Sequence, residues 1–412
     1  MDDDTDFRLA KSAAVGLLEE LVKKRENVSI PDEAVGRFAG ILIAETTDEA
    51  AWNEYDSYER DENGWDPLTI SLNWQWPKRV RGLFYLATRD KEAAWKSEAF
   101  NAIEFELARQ DRHGAGRAVL GENFGRLFND SPDWLKARLE TYFGTKDAIS
   151  VEQQVALTTA MATHYYHREL LNLLSDPIIA AIVVRDGLVS GWRSESNAQQ
   201  RIGEWVIAAV IYGHRTMDDE LVQSFFNNAS AKARGDAMAH VAWSFFRADR
   251  VDDSIRDRFA ELWDARIEHV RDHPNDSEEL LGIYWCAKGG KFDASWWLSR
   301  LLGALQLEPG VATERYMIGK ELAEASVDDP RTALEVLKLL LDGRDEDGMV
   351  SHDLTRNAVP VVIAGAIASA DEDLSRDAEK YMNDLGAKGN LRLEADVKAV
   401  LDGAVTVEDV DD

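Results

Sequence analysis

Two histidine pairs stand at spacings that put both side chains on one helical face: His164 with His167, three residues apart, and His269 with His273, four apart. Imidazoles so placed could ligate a metal, but zinc needs three or four ligands. Near His269 the sequence offers Glu268 and Asp272 without HExxH order. No metal site is expected at either pair, and His164 and His167, flanking Tyr165 and Tyr166, read as packed or half-exposed side chains at a helix end. Cys286, the only cysteine, excludes an intrachain disulfide and a thiolate zinc site, and beside Tyr284 and Trp285 it reads as inert core. Neither GxGxxG nor GxxxxGK[ST] occurs, and Gly289-Gly290-Lys291 lacks the strand that precedes a phosphate loop. No GxSxG elbow is present, and the carboxylates are so numerous that no pair singles itself out as acid and base. The expectation is no catalytic residue and no cofactor.

Tryptophan is the more informative residue type, at 13 in the chain. Trp52, Trp65, Trp74, Trp76 and Trp95 crowd one N-terminal stretch, where Trp74-Gln75-Trp76-Pro77-Lys78-Arg79-Val80-Arg81 is locally basic and aromatic. Aromatic and Arg side chains dominate binding hot spots, so Trp74, Trp76, Lys78, Arg79 and Arg81 are the candidate partner-binding residues. The competing reading is that tryptophans fill wide gaps between helical layers. Trp205, Trp243, Trp263, Trp285, Trp296 and Trp297 recur at helical spacing among apolar residues and read as core.

Apolar residues recur at three and four positions nearly throughout, without strand alternation, which predicts an all-α chain. Helices are expected at Phe7 to Arg25, from Pro31 through Leu42, Pro77 to Arg89, Glu92 to Arg109, Arg117 to Leu127, Pro132 to Tyr142, Val151 to His164 and Glu169 to Ser175. Ser131, Pro132 and Asp133 form a helix start, with Ser131 the expected cap. Thr46 to Trp65 reads as a loop with fragmentary helix. Further on come Arg201 to Gly213, Asp218 to Asn228, Ala231 to Phe246, Ser254 to Val270, Ser277 to Ala287, Ala294 to Leu307, Ala312 to Ser326, Pro330 to Leu341, Leu354 to Ala370, Leu374 to Leu385 and Leu391 to Leu401. Each pair spans about 35 to 45 residues, the size of HEAT and tetratricopeptide units. One hairpin cannot hide its own apolar face, so the expected architecture is an α-solenoid of stacked antiparallel hairpins with divergent repeats. A compact irregular helical domain is the alternative. The division expected is 1–190, 191–403 and an acidic tail at 404–412.

With 76 acidic and 47 basic residues the chain carries a formal charge of −29. That field repels phosphate backbones and anionic lipid, so neither nucleic acid nor membrane is an expected partner. The acid is dispersed, Asp exceeds Glu and Arg exceeds Lys, a composition read as adaptation to a salt-rich cytosol where charges are screened within about 3 Å at 1 M. A GC-rich genome would also favour Arg over Lys. The segment MDDDTD lacks the basic and apolar regions of a secretory signal, and no apolar run reaches the roughly 18 residues of a membrane span. A cytoplasmic location is expected.

Several stretches resemble the helical C-terminal regions of large prokaryotic antiviral-defence proteins, those carrying sirtuin-like or STAND-type NTPase modules in their N-terminal parts. The resemblance is carried by Trp65-Asp66-Pro67-Leu68-Thr69, Leu72-Asn73, Arg81-Gly82, Leu120 to Asp133-Trp134 and Phe143. Glu261-Leu262-Trp263, Tyr284-Trp285, Gly290-Lys291-Phe292-Asp293 and Trp296 extend it, so that it covers roughly residues 65 to 300. Where such proteins have a short segment before the arginine and glycine, this chain has Trp74-Gln75-Trp76-Pro77. The resemblance implies a non-enzymatic sensing or scaffolding array that binds a protein partner, an effector subunit encoded separately or a viral protein. An enzyme built from scattered Asp, Glu and His, and a degenerate module without activity, are the alternatives.

Overall fold

The computed structural model describes residues 13–21, 30–47, 49–59, 65–89, 93–193, 197–341 and 358–406. Every regular element among them is helical, and the fold is all-α. Of the expected helix Phe7 to Arg25, residues 13–21 are described and are helical; most of the tail from 404 onward lies outside the described residues. No described helix is long and apolar enough to cross a membrane. The chain forms two compact units, Met1–Val206 with Asp218–Ala229, and Ile207–Met217 with Ser230–Asp412. The division falls inside a helix, C-terminal to the expected boundary at 190.

In the first unit the helices are α1 (Asp32–Ala44), α2 (Glu49–Asp56), α3 (Pro67–Ser71), α4 (Gln75–Arg89), α5 (Lys96–Leu107), α6 (Ala115–Glu122), α7 (Phe124–Asp130), α8 (Pro132–Phe143), α9 (Val151–Thr163) and α10 (Arg168–Val184). Then come α11 (Ala198–Ile211), whose residues from Ile207 onward belong to the second unit, and α12 (Glu220–Asn228). Helix α4 is the centre: between Trp76 and Thr88 only Lys78 escapes burial, because α1, α2, α5 and α6 all pack against it. Helices α6 and α9 pack closely because Gly121 lacks a side chain; a Cβ there would lie 2.3 Å from the Ala156 carbonyl oxygen. A capping box between Ser150 and Gln153 starts α9.

Four expectations change in this unit. The loop at Thr46 to Trp65 contains the regular helix α2, which buries Ala51 and Tyr55 against α4. The expected helix Arg117 to Leu127 is broken at Asn123, whose amide donates to the Val119 carbonyl (2.9 Å) and so ends α6. Ser131 starts α8 without a side-chain cap. Helix α10 runs past Ser175 and through Pro177 to Val184, since its apolar stripe continues as buried Ile178, Ala181 and Ile182 and offsets the lost backbone hydrogen bond.

The second unit continues with α13 (Ala231–Arg247), α14 (Asp253–Asp272), α15 (Ala294–Leu307), α16 (Gly319–Ala325), α17 (Pro330–Leu341), α18 (Val359–Ile367), α19 (Glu372–Ala387) and α20 (Leu393–Leu401). The expected helix Ser277 to Ala287 is instead a chain of 3-10 turns, Pro274–Leu280, Ile283–Cys286 and Lys288–Gly290, wrapped on α13. Two features dictate this. Gly282 fits so closely on Ala239 that a Cβ would meet its methyl at 2.3 Å, and Gly289 takes a left-handed turn at φ 77°. The expected helix Ala312 to Ser326 is likewise split into a 3-10 segment, Pro309–Ile318, and α16. Helices α15, α17 and α18 then pack each on the next, and α18 also carries α19 and α20.

Candidate functional site

The basic, aromatic stretch at the start of α4 faces inward. Trp76 and Arg79 are fully buried and Arg81 nearly so, while Trp74 and Lys78 are half-buried. Burial removes Trp76, Arg79 and Arg81 from the candidate partner-binding residues and agrees with the competing reading of tryptophan as a filler between helical layers, while Trp74 and Lys78 keep partly exposed side chains. The physical reason is a buried carboxylate on the neighbouring helix: Glu106 of α5 accepts from Arg79 Nη2 (2.5 Å), Trp76 Nε1 (2.7 Å) and Arg109 Nε (2.7 Å). Arg109 carries the pairing outward through two hydrogen bonds, each 2.8 Å, to Glu49 of α2. Arg81 is held separately by Glu122 (2.7 Å), with Glu19 at 3.7 Å and Ser71 alongside. A cation that would cost several kcal/mol to bury alone is thus compensated at each position.

Beside this node the rings of Tyr55 and Tyr58 each pack against those of Trp74 and His113, with centroids 5.0–6.2 Å apart. Beneath them Tyr55 donates to Asp111 Oδ1 (2.5 Å), and the carboxylate also accepts from the amides of His113, Gly114 and Gly116. Burial pushes the Asp111 carboxyl up despite these donors, and burial together with Asp111 pushes the Tyr55 hydroxyl up and keeps it protonated. The pair fastens α2 to the first turn of α6. Sequence alone does not show this pair, because Thr46 to Trp65 reads as a loop with fragmentary helix and Asp111 lies 56 residues from Tyr55.

The histidines also have packing roles. His164 ends α9; its Nδ1 lies 2.8 Å from the Ala160 carbonyl and its Nε2 accepts from the Gly125 amide (3.1 Å), which fixes the neutral tautomer. Burial holds its pKa below the ordinary value. Gly125 is required there, because a Cβ would come 2.7 Å from Nε2. His269 and His273 stack at 4.3 Å, and His269 Nε2 pairs with Asp276 (2.8 Å). Asp276 joins Arg234, which pairs with buried Glu279, as does Arg266 at 2.5 Å. Burial raises Asp276, but the bonds from His269 and Arg234 outweigh it and hold the carboxyl below its usual range. Among the described residues, no three His, Cys, Asp or Glu side chains come together as a metal-binding group. Cys286 is buried, which pushes its thiol up and keeps it protonated.

An outward aromatic face lies on the second unit, and the core reading of the later tryptophans needs correcting there. Trp205, Trp263 and Trp297 are buried, but Trp243 is 40% exposed and Trp285 and Trp296 are half-buried. Trp243 shares its side of α13 with Phe246, 37% exposed, whose ring lies 5.8 Å from Trp285; Tyr284 stands 5.1 Å beyond. His240 packs at 5.7 Å from Trp243, and the Arg247 guanidinium lies over its ring at 5.9 Å. The signal was present in the sequence. Ala233, Ala237, Val241 and Phe245 form the buried stripe, whereas Trp243 follows two helical turns after Asp236 on the polar side. Comparison with known protein families, curated proteins and solved structures gives no match.

Proposed function

We propose that this chain is a non-enzymatic helical-repeat scaffold, a divergent solenoid, that binds a protein partner through the outer face of α13. The observation that carries the reading is the clustering of Trp243, Phe246 and Trp285 with Arg247 at the surface, residue types that supply most of the binding free energy at protein interfaces. Helix-on-neighbour packing within each unit supports a repeat-type framework. The resemblance to the helical regions of antiviral-defence proteins supports a cytoplasmic partner that is an effector subunit or a viral protein.

The test is affinity purification from the encoding organism, with and without viral challenge, comparing the unaltered chain with Trp243→Ala/Phe246→Ala. Given the −29 charge, which we read as salt adaptation, the buffer holds about 1 M salt. A stoichiometric protein held by the first and lost from the folded variant supports the reading; equal recovery by both refutes it.

A further inference from the structure

His164 stands where the end of α9 meets the first turn of α7, and its two ring nitrogens have different duties. Nδ1 lies 2.8 Å from the Ala160 carbonyl and 3.1 Å from Thr163 Oγ1, whose own proton goes to the Thr159 carbonyl (2.8 Å). Both neighbours of Nδ1 are therefore acceptors. Nδ1 must carry the ring proton, and the lone pair on Nε2 takes the Gly125 amide (3.1 Å). The ring is pressed onto Gly125, where a Cβ would lie 2.7 Å from Nε2 and 2.8 Å from Cδ2. Yet His164 is half-buried rather than sealed, so solvent can supply a proton.

The charges around the ring do not replace that bond. On α6, Glu122 favours an imidazolium, but Arg81 holds its carboxylate at 2.7 Å, and burial outweighs it. On α11, Arg201 donates to the His164 carbonyl (3.3 Å) and pairs with Glu204 (2.5 Å). On α7, Arg126 follows Gly125 and lies over the Tyr85 ring at 5.0 Å, while Phe128 meets the ring of His167 at 6.2 Å. Helix α8 brings Phe143 onto Phe124 (5.0 Å), and exposed Arg168 and Glu169 open α10. A proton on Nε2 would therefore set one N–H against another, that of Gly125, with no acceptor between them. Helix α7 has seven residues and buries two side chains, Phe124 and Leu127, so its opening costs little beside unfolding of the unit. We infer that His164 is a pH-operated catch: its bare Nε2 holds the first turn of α7 on α9, and proton uptake there releases α7 and uncovers Phe124 and Leu127 while the rest of the unit stays folded. The inference is independent of the protein-binding reading above.

Hydrogen exchange of the full-length chain, followed by mass spectrometry from about pH 7.5 to about pH 5 and corrected for the intrinsic pH dependence of exchange, tests this. A peptide spanning α7 is compared with one from α4, in the unaltered chain and in His164→Gln. Because the pKa of His164 is lower in the closed state than the ordinary value near 6.5, closure is fully favoured above about pH 6.5. Opening of α7 should then rise by up to about tenfold per pH unit below it, until the closed-state value is passed. The α4 peptide should stay protected, and His164→Gln should remove the pH dependence of α7. Flat exchange of α7 in the unaltered chain, an equal rise in the variant, or α7 and α4 opening together overturns the inference. Selective 15N-histidine labelling of the unaltered chain gives a test that needs no variant. His164 should show a bare Nε2 at neutral pH and take up its proton with the same midpoint as α7 opening; an Nε2 already protonated at neutral pH, or a different midpoint, overturns the catch.

Discussion

Helices α4 and α13 carry nearly the same residue types and put them to opposite uses. The start of α4 holds Trp76, Arg79 and Arg81, with Trp74 just before it, and the end of α13 holds His240, Trp243, Phe246 and Arg247. In α4 the tryptophan and the arginines turn inward onto Glu106 and Glu122; in α13 tryptophan and arginine remain outside, stacked on each other. The difference is one of surroundings. Helix α4 is packed on by α1, α2, α5, α6 and α7, so its buried cations Arg79 and Arg81 had to meet carboxylates, Glu106 and Glu122. On α13 the inward stripe is filled by small and apolar residues, and its own buried cation, Arg234, is satisfied by Glu279. A basic, aromatic sequence therefore says nothing about exposure until its helical register and its carboxylate partners are known.

The comparison can be broken most severely at Glu106. Glu106→Ala strands the buried Arg79 and should cost about 3–5 kcal/mol in denaturant unfolding, with Glu279→Ala, which strands Arg266, similar in the second unit. A loss below about 1 kcal/mol would mean that water already reaches these arginines.

A smaller effect separates inner packing by pH. The folded-state pKa of His164 lies below its unfolded value near 6.5, so the stabilisation is full above about pH 6.5 and is lost as pH falls through the lower folded value. Melting temperature should drop on acidification from neutrality, and His164→Gln, which keeps an acceptor for the Gly125 amide, should flatten that drop. An unchanged slope in the variant would contradict the tautomer assignment. The smallest effect is expected at Glu49→Ala, which removes the half-exposed end of the Arg109 pairing and should cost about 0.2–1 kcal/mol by the same unfolding assay.

The all-α fold and most helix positions were legible because amphipathic periodicity survives without tertiary information. What escaped the sequence depended on contacts distant in the chain. Helix α2 is short and polar, and it becomes regular because Tyr55 reaches Asp111, 56 residues away. The segment after Pro274 has helical periodicity, but Glu279 is drawn toward Arg234 and Arg266, and Gly282 is pressed onto Ala239. The candidate site at Trp74 to Arg81 was misplaced because Glu106 lies 30 residues from Trp76, whereas the polar setting of Trp243 was readable from α13 alone.

The division between an inner set that holds the fold and an outer set that binds is tested most directly by Trp243→Ala/Phe246→Ala, measured for unfolding free energy and for partner recovery together. The account predicts a variant that stays folded, destabilised by about 1–3 kcal/mol because both rings are more than half buried, with loss of the bound protein. Full recovery of the partner by the folded variant would contradict it.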